Sequence, residues 1–300
     1  MRHFLEVDDL AADELGDILD RAERPAPPAR LARQGVALLF EKPSLRTRHS
    51  AEMAVVQLGG HPVTVRGDEI GAGAREPLGD IARVLAGYHA LLGARVFHHD
   101  HVEALAAPDA LPVVNLLSDR SHPCQALADL LTMRQEFGVL AGRVVAWVGD
   151  FTNVARSLAI GAALSGMTVR VASPVGYGPS EADRDRVVLA GGALDITDRP
   201  HEAVAGAHAV HTDVWTSMGQ EADTEMRRRA FEGFTVDDEV MGAATPGAIF
   251  MHCLPVHRGE EVTASVVDGA DSRVFAQAAN RLPTFRALLW WLVDQSAPAR

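Results

Sequence analysis

Short, continuously apolar runs alternate along the chain with longer stretches in which apolar residues recur every three or four positions. Val36-Ala37-Leu38-Leu39-Phe40 is a run of the first kind, long enough for a strand buried on both faces. Runs at 62–65, 90–97 and 112–115 continue a first series, with helical periodicity between them at 77–88 and 101–107. A long helix is predicted over 122–137, after which the pattern restarts with strands at 143–148, 168–171, 209–211 and 248–251. The last helix is predicted over 278–295. Alternating strand and helix produces βα units and mainly parallel sheets. The expected fold is therefore α/β, with two domains, each a mainly parallel sheet flanked by helices, joined by interdomain helices across a cleft. Residues 1–137 are expected to form the first domain and 138–277 the second.

In such sheets ligands bind beyond the carboxyl ends of the strands, so the residues that follow each strand carry the chemistry. After the first strand, Pro43 stops the extended run and Ser44 is a good N-cap for a helix. Helix N-termini present N–H groups and positive dipole character. With Arg46, Thr47 and Arg48 added, the turn makes a phosphate-sized anion site, although the same residues also describe an ordinary capped helix with surface arginines. Arg95 ends another strand. His122 and Gln125 share the first turn of the next helix, where an imidazole and a carboxamide can hydrogen-bond one planar carbonyl or amide group. Asp213, followed by Ser217, offers a carboxylate and a hydroxyl suited to an ammonium group. Cys253 places a thiol at the end of a further strand, or is simply a buried cysteine.

Composition narrows these readings. The chain has 300 residues, with 28 basic against 40 acidic side chains and a formal charge of −12. A nucleic-acid binder would need a broad basic face, so none is expected. Lys42 is the single lysine, and it lies in Glu-Lys-Pro. A P-loop is thereby excluded, and a pyridoxal Schiff base has one poorly placed candidate. Gly149-Asp150-Phe151-Thr152-Asn153 lacks the later glycines of a dinucleotide fingerprint, which argues against a nicotinamide dehydrogenase. Neither His98-His99-Asp100-His101 nor His201-Glu202 has the spacing of a metal centre, and no metal or cofactor is expected. Two cysteines make no disulfide framework, and no apolar run has membrane-spanning length. A soluble cytoplasmic protein is expected.

Taken in order, these segments resemble the aspartate/ornithine carbamoyltransferase superfamily over nearly the whole chain. Ser44-Leu45-Arg46-Thr47-Arg48 is similar to its Ser-Thr-Arg-Thr-Arg signature, and His122-Pro123-Cys124-Gln125 to its His-Pro-x-Gln element. Asp213 through Ser217-Met218-Gly219 and His252-Cys253-Leu254-Pro255 resemble the ornithine-specific branch, since aspartate enzymes lack both features. The resemblance implies transfer of the carbamoyl group from carbamoyl phosphate to the δ-amine of L-ornithine, giving L-citrulline in arginine biosynthesis. The variants it leaves open are another amine, such as putrescine or an N-acylornithine, and a homologue that binds ligand without turnover. It implies carbamoyl phosphate binding by Ser44, Leu45, Arg46, Thr47, Arg95, His122, Gln125, Cys253, Leu254 and Arg281, and ornithine binding by Asn153, Asp213, Ser217 and Met218. Arg95, His122 and Cys253 would be catalytic. It also implies that the C-terminal helix 278–295 packs back to complete the first domain, and a homotrimer, or a multiple of one, with sites at subunit boundaries. Residues 68–76 correspond to a loop that reaches the neighbouring site, with Arg75 the expected contact.

Overall fold

The computed structural model describes residues 1–71, 73, 75–216 and 221–296. Among them nine strands form two wholly parallel sheets, one in each of two compact units: Met1–Ala128 with Asn280–Arg300, and Asp129–Ala279. The unit boundaries fall inside two helices, Pro123–Phe137 and Val274–Ser296.

The first unit holds β1 (Gly35–Phe40), β2 (His61–Arg66), β3 (His89–Arg95) and β4 (Val113–Leu117), in the order β2-β1-β3-β4. β1 is central and buried along nearly its whole length, which is why its sequence is continuously apolar. β2 is an edge strand of mixed exposure and accommodates Pro62, whose missing N–H would break an interior ladder. One face of the sheet packs Ala37, Leu39, Leu92 and Ala94 against Ile81 and Leu105. The last helix contributes Trp290 and Trp291. The guanidiniums of Arg21 and Arg24 lie over the Trp290 ring at 4.7 and 5.3 Å, and Asp294 pairs with Arg21 at 2.7 Å.

The second unit holds β5 (Val144–Val148), β6 (Thr168–Ala172), β7 (Leu194–Thr197), β8 (Ala209–Thr212) and β9 (Ile249–His252), in the order β7-β6-β5-β8-β9. The apolar pattern does not predict β7. It is a short, partly exposed edge strand, Leu-Asp-Ile-Thr, with no apolar run to mark it. The helix Glu181–Leu189 also goes unpredicted, because its amphipathic contrast is weak; Ser180 and Asp183 cap it reciprocally. The final helix starts at Val274 rather than at 278 and continues through Pro283.

Both sheets have a topological switch point. In the first, β1 is followed by β2 on one side and β3 on the other; in the second, β5 is flanked by β6 and β8. Crevices for ligands form beyond the carboxyl ends of strands that diverge in this way. The segments singled out in the sequence lie there: residues 41–48 after β1, Arg95 at the end of β3, 149–153 after β5, and 213–216 after β8. No helix among the described residues is long and apolar enough to cross a membrane.

Candidate functional site

In the first unit, Ser44 adopts extended backbone and its hydroxyl accepts from Thr47 N at 3.2 Å, starting the helix Leu45–Gln57 at the end of β1. Thr47, 2% exposed, becomes a hub. Its hydroxyl accepts from Arg281 Nη2 at 3.0 Å and from Arg95 Nη1 at 3.4 Å. The parallel register of β1 and β3 pairs Phe40 with Arg95, which brings the β3 arginine beside the β1 turn. Arg281 also donates to Gln125 Oε1, and its Nη1 lies 3.4 Å from His122 Nε2. Thr47, Arg95, His122, Gln125 and Arg281, all buried, thus converge around the helix start capped by Ser44.

The local field is positive despite the acidic chain. Burial holds the His122 imidazole well below its ordinary pKa, reinforced by Arg281, Arg95, Arg46 and Lys42 in that order. At neutral pH the ring is therefore uncharged. Lys42, which sequence reasoning discarded, belongs to this cationic group. Its pKa is lowered by burial and by Arg95, and its ammonium lies 4.8 Å from the Phe97 ring centroid. Arg48 instead turns outward to pair with Glu52 at 2.9 Å. The Leu45 side chain is 71% exposed, so this residue can serve the site only through its backbone. Cys124 is buried, donates to Asn115 O at 3.4 Å, and has its thiol pKa pushed up to about 12 by burial. Arg75 is exposed on the surface; residues 72 and 74 of the same loop lie outside the described residues. The histidines at 98, 99 and 101 turn to different partners, Asp119, Ser118 and Glu41, rather than to a common point.

In the second unit, Cys253 Sγ donates to Asp213 Oδ1 at 3.1 Å, and the same oxygen accepts from Val214 N at 2.8 Å. Asn153 occupies the first position of the helix Asn153–Leu164, behind the Thr152 N-cap. Ser217 and Met218 lie outside the described residues. Leu254 has φ +59° and precedes a cis bond to Pro255. Its N–H donates to His252 Nδ1 at 2.9 Å, while His252 Nε2 faces Glu261 Oε1 at 3.2 Å. Both residues of that pair are fully buried, so the carboxylate fixes the ring tautomer and the ring fixes the Leu254 backbone.

Asp213, His252 and Cys253 bring potential metal-ligand atoms within 4.8 Å of one another, as do His257, Glu260 and Glu261. The His252 ring is already committed at both nitrogens, which disfavours the first group as a metal centre.

Arg227 is a residue that sequence reasoning missed. It donates to Trp215 O and to the Asp150 carboxylate, and its guanidinium lies 5.0 Å from the Tyr177 ring centroid and 5.5 Å from that of Phe231. It thereby ties the turn after β5 to the segment after β8. Burial raises the Asp150 pKa and Arg227 opposes that shift. In the sequence Arg227 is hidden in Arg227-Arg228-Arg229, a run that reads as a solvated face.

Comparison with known proteins gives two family matches. Residues 2–135 match "Aspartate/ornithine carbamoyltransferase, carbamoyl-P binding domain", and residues 141–292 match "Aspartate/ornithine carbamoyltransferase, Asp/Orn binding domain". A relative from Acidothermus cellulolyticus, named ornithine carbamoyltransferase, is 50% identical over 98% of this chain and 97% of its own. The crystal structure of ornithine carbamoyltransferase from Thermus thermophilus is 46% identical with a TM-score of 0.89, covering 98% of this chain and 99% of that one. Ornithine carbamoyltransferase from Pyrococcus furiosus is 42% identical with a TM-score of 0.91, covering 96% of each chain.

Proposed function

The chain belongs to the aspartate/ornithine carbamoyltransferase family, and from that premise we propose that it transfers the carbamoyl group of carbamoyl phosphate to the δ-amine of L-ornithine. The products are L-citrulline and phosphate. The observation that carries the reading is the convergence of the Arg95 and Arg281 guanidiniums on the Thr47 hydroxyl at a capped helix start. Two guanidiniums held this close repel each other, and a phosphate dianion relieves that repulsion while accepting from both.

Ser44, the Leu45 backbone, Arg46 and Thr47 then hold the phosphate, with Arg95 and Arg281 completing the grip. His122 and Gln125 take the carbamoyl group. A neutral imidazole donates to the carbamoyl oxygen without itself changing charge, and Arg95 and Thr47 add donors where the oxyanion grows. Asn153, Asp213, Ser217 and Met218 hold the α-amino acid end of ornithine. Cys253 and the Leu254 backbone lie beside the attacking amine and the carbamoyl nitrogen. The δ-ammonium first releases a proton to solvent, and the neutral nitrogen bonds to the carbamoyl carbon. The C–O bond breaks with its electron pair leaving on phosphate, which takes up the second N–H proton. The chemistry needs no covalent enzyme intermediate, so holding both reactants in line supplies much of the rate.

Finer features belong to the same proposal. A homotrimer with sites at subunit boundaries is supported by exposed Met53 and Val56, one turn apart on the helix after β1, and by Val63 on edge strand β2. A cytoplasmic location is supported by two free thiols, which suit a reducing compartment, and a place in arginine biosynthesis rests on citrulline as the proposed product.

The test is formation of the carbamoylated amine and phosphate with L-ornithine, putrescine, N-acetylornithine and L-aspartate offered in parallel. Turnover confined to L-ornithine is expected: N-acetylornithine lacks the α-ammonium assigned to Asp213, putrescine lacks the α-carboxylate, and L-aspartate lacks the δ-amine. Turnover of putrescine alone would overturn the acceptor assignment. Binding of carbamoyl phosphate with no turnover of any amine would point to a ligand-binding homologue instead.

A further inference from the structure

Gln277 is fully buried in the second unit and has every polar atom of its carboxamide engaged. Oε1 accepts from the backbone N–H of His252 at 2.9 Å. Nε2 donates to Asp129 Oδ1 at 2.7 Å and to His211 Nε2 at 2.9 Å. An amide nitrogen only donates, so His211 Nε2 is the acceptor and its proton sits on Nδ1, which donates to Thr212 O at 3.0 Å. The ring is further fixed by stacking on Trp147 at 4.9 Å.

These contacts lie on the strand ends that carry the candidate chemistry. Thr212 ends β8 and runs into Asp213; His252 ends β9 and runs into Cys253. The two strands are in register, with Thr212 paired to His252. β9 is the edge of its sheet. Its outer side is bonded at Phe250, whose N–H donates to Asp271 O and whose carbonyl accepts from Arg273 N. The next outward N–H, two residues on, is that of His252, and there a side chain replaces the missing strand. Gln277 thus closes the last rung of β9 with its oxygen and steadies the end of β8 through His211 with its nitrogen.

We propose that Gln277 is a positioning residue for the reaction: one carboxamide sets the relative placement of the β8 and β9 ends, and with it the 3.1 Å contact between Cys253 and Asp213. This rests on the proposed function only in assigning those two groups to the amine substrate. Replacing the carboxamide leaves the His252 N–H and the Asp129 carboxylate buried without it, and the strand ends shift to regain partners.

The experiment compares the wild type with Gln277→Met, a near-isostere lacking the amide. Three readouts are steady-state kinetics in ornithine, calorimetric binding of carbamoyl phosphate, and the rate of iodoacetamide alkylation of Cys253 mapped by mass spectrometry. A loss in kcat/KM for ornithine of about 10²-fold is expected, the scale of a displacement near 1 Å. The alkylation rate of Cys253 should change, while carbamoyl phosphate affinity, carried mainly by the phosphate grip of the first unit, should fall far less than kcat/KM for ornithine. Cys124, with its thiol pushed up to about 12, should stay unmodified and serve as the internal control. Wild-type kinetics and alkylation in a folded variant, even one of lower Tm, would overturn the proposal in favour of a purely structural role. Should Gln277→Met not fold, Gln277→Asn keeps the amide but withdraws it by one methylene, and carries the same expectations; failure of both to fold also assigns a structural role. If the wild type turns over no amine, the function reading fails, and the alkylation comparison still decides this one.

Discussion

His122 is surrounded by cations, and its burial makes the neutral ring the folded form. That has a consequence for stability. A free histidine takes up a proton near pH 6.5, whereas this one does so only at lower pH, so between the two values the unfolded chain binds the extra proton. Stability contributed by this site is complete above about pH 6.5 and is lost as pH falls below it, at up to about 1.4 kcal/mol per pH unit. His122→Asn should flatten that acid limb in urea unfolding series. Equal slopes for variant and wild type would mean that the ring is not held neutral. The residues of this group were legible in the sequence because Ser44 to Thr47 and His122 to Gln125 are each contiguous. Arg227 and Gln277 were not, since Asp150 and Trp215 for the one, and Asp129, His211 and His252 for the other, are distant in sequence.

The helix that starts at Ser44 joins local stability to anion binding. The Ser44 hydroxyl accepts from Thr47 N, so Ser44→Ala removes an N-cap worth about 1 kcal/mol. The same change lets the first turn fray, and the Thr47 hydroxyl loses the fixed position on which Arg95 and Arg281 meet. Chemical denaturation should show the stability loss, and calorimetry a weaker carbamoyl phosphate affinity. Unchanged affinity beside the stability loss would make the cap structural only. Element by element, legibility follows burial. β1, covered on both faces, announces itself as an apolar run, whereas β7, exposed at the sheet edge, carries too few apolar positions to be seen.

For the whole chain, ligand linkage gives the broadest test. A ligand bound only by the folded state at about 100 times its Kd adds about 2.7 kcal/mol of stability. Carbamoyl phosphate should therefore raise the calorimetric Tm of the wild type. In Arg281→Met the rise should largely vanish, because the dianion loses one of two buried guanidiniums. A full Tm rise in that variant would remove Arg281 from the anion site. The net charge of −12 does not prevent such binding, since the cations around His122 act at contact distance while most other charges are screened beyond roughly 10 Å.

The linear order of residues was enough to establish the α/β class, two parallel sheets and the places where chemistry would gather. Periodicity reports burial, and strand ends in such sheets are where side chains and helix starts can face a ligand. It also carried the family, because the four short motifs are contiguous. Folding settled what contiguity cannot express. It brought Arg95 and Arg281 onto one hydroxyl, turned Arg48 away to Glu52, and added Lys42 to the cations around His122. It also put Gln277 on the β9 edge and Arg227 across two strand-end turns. The physical reason is that hydrogen bonds, ion contacts and desolvation depend on distance in space, and a chain that folds makes that distance independent of separation along the sequence.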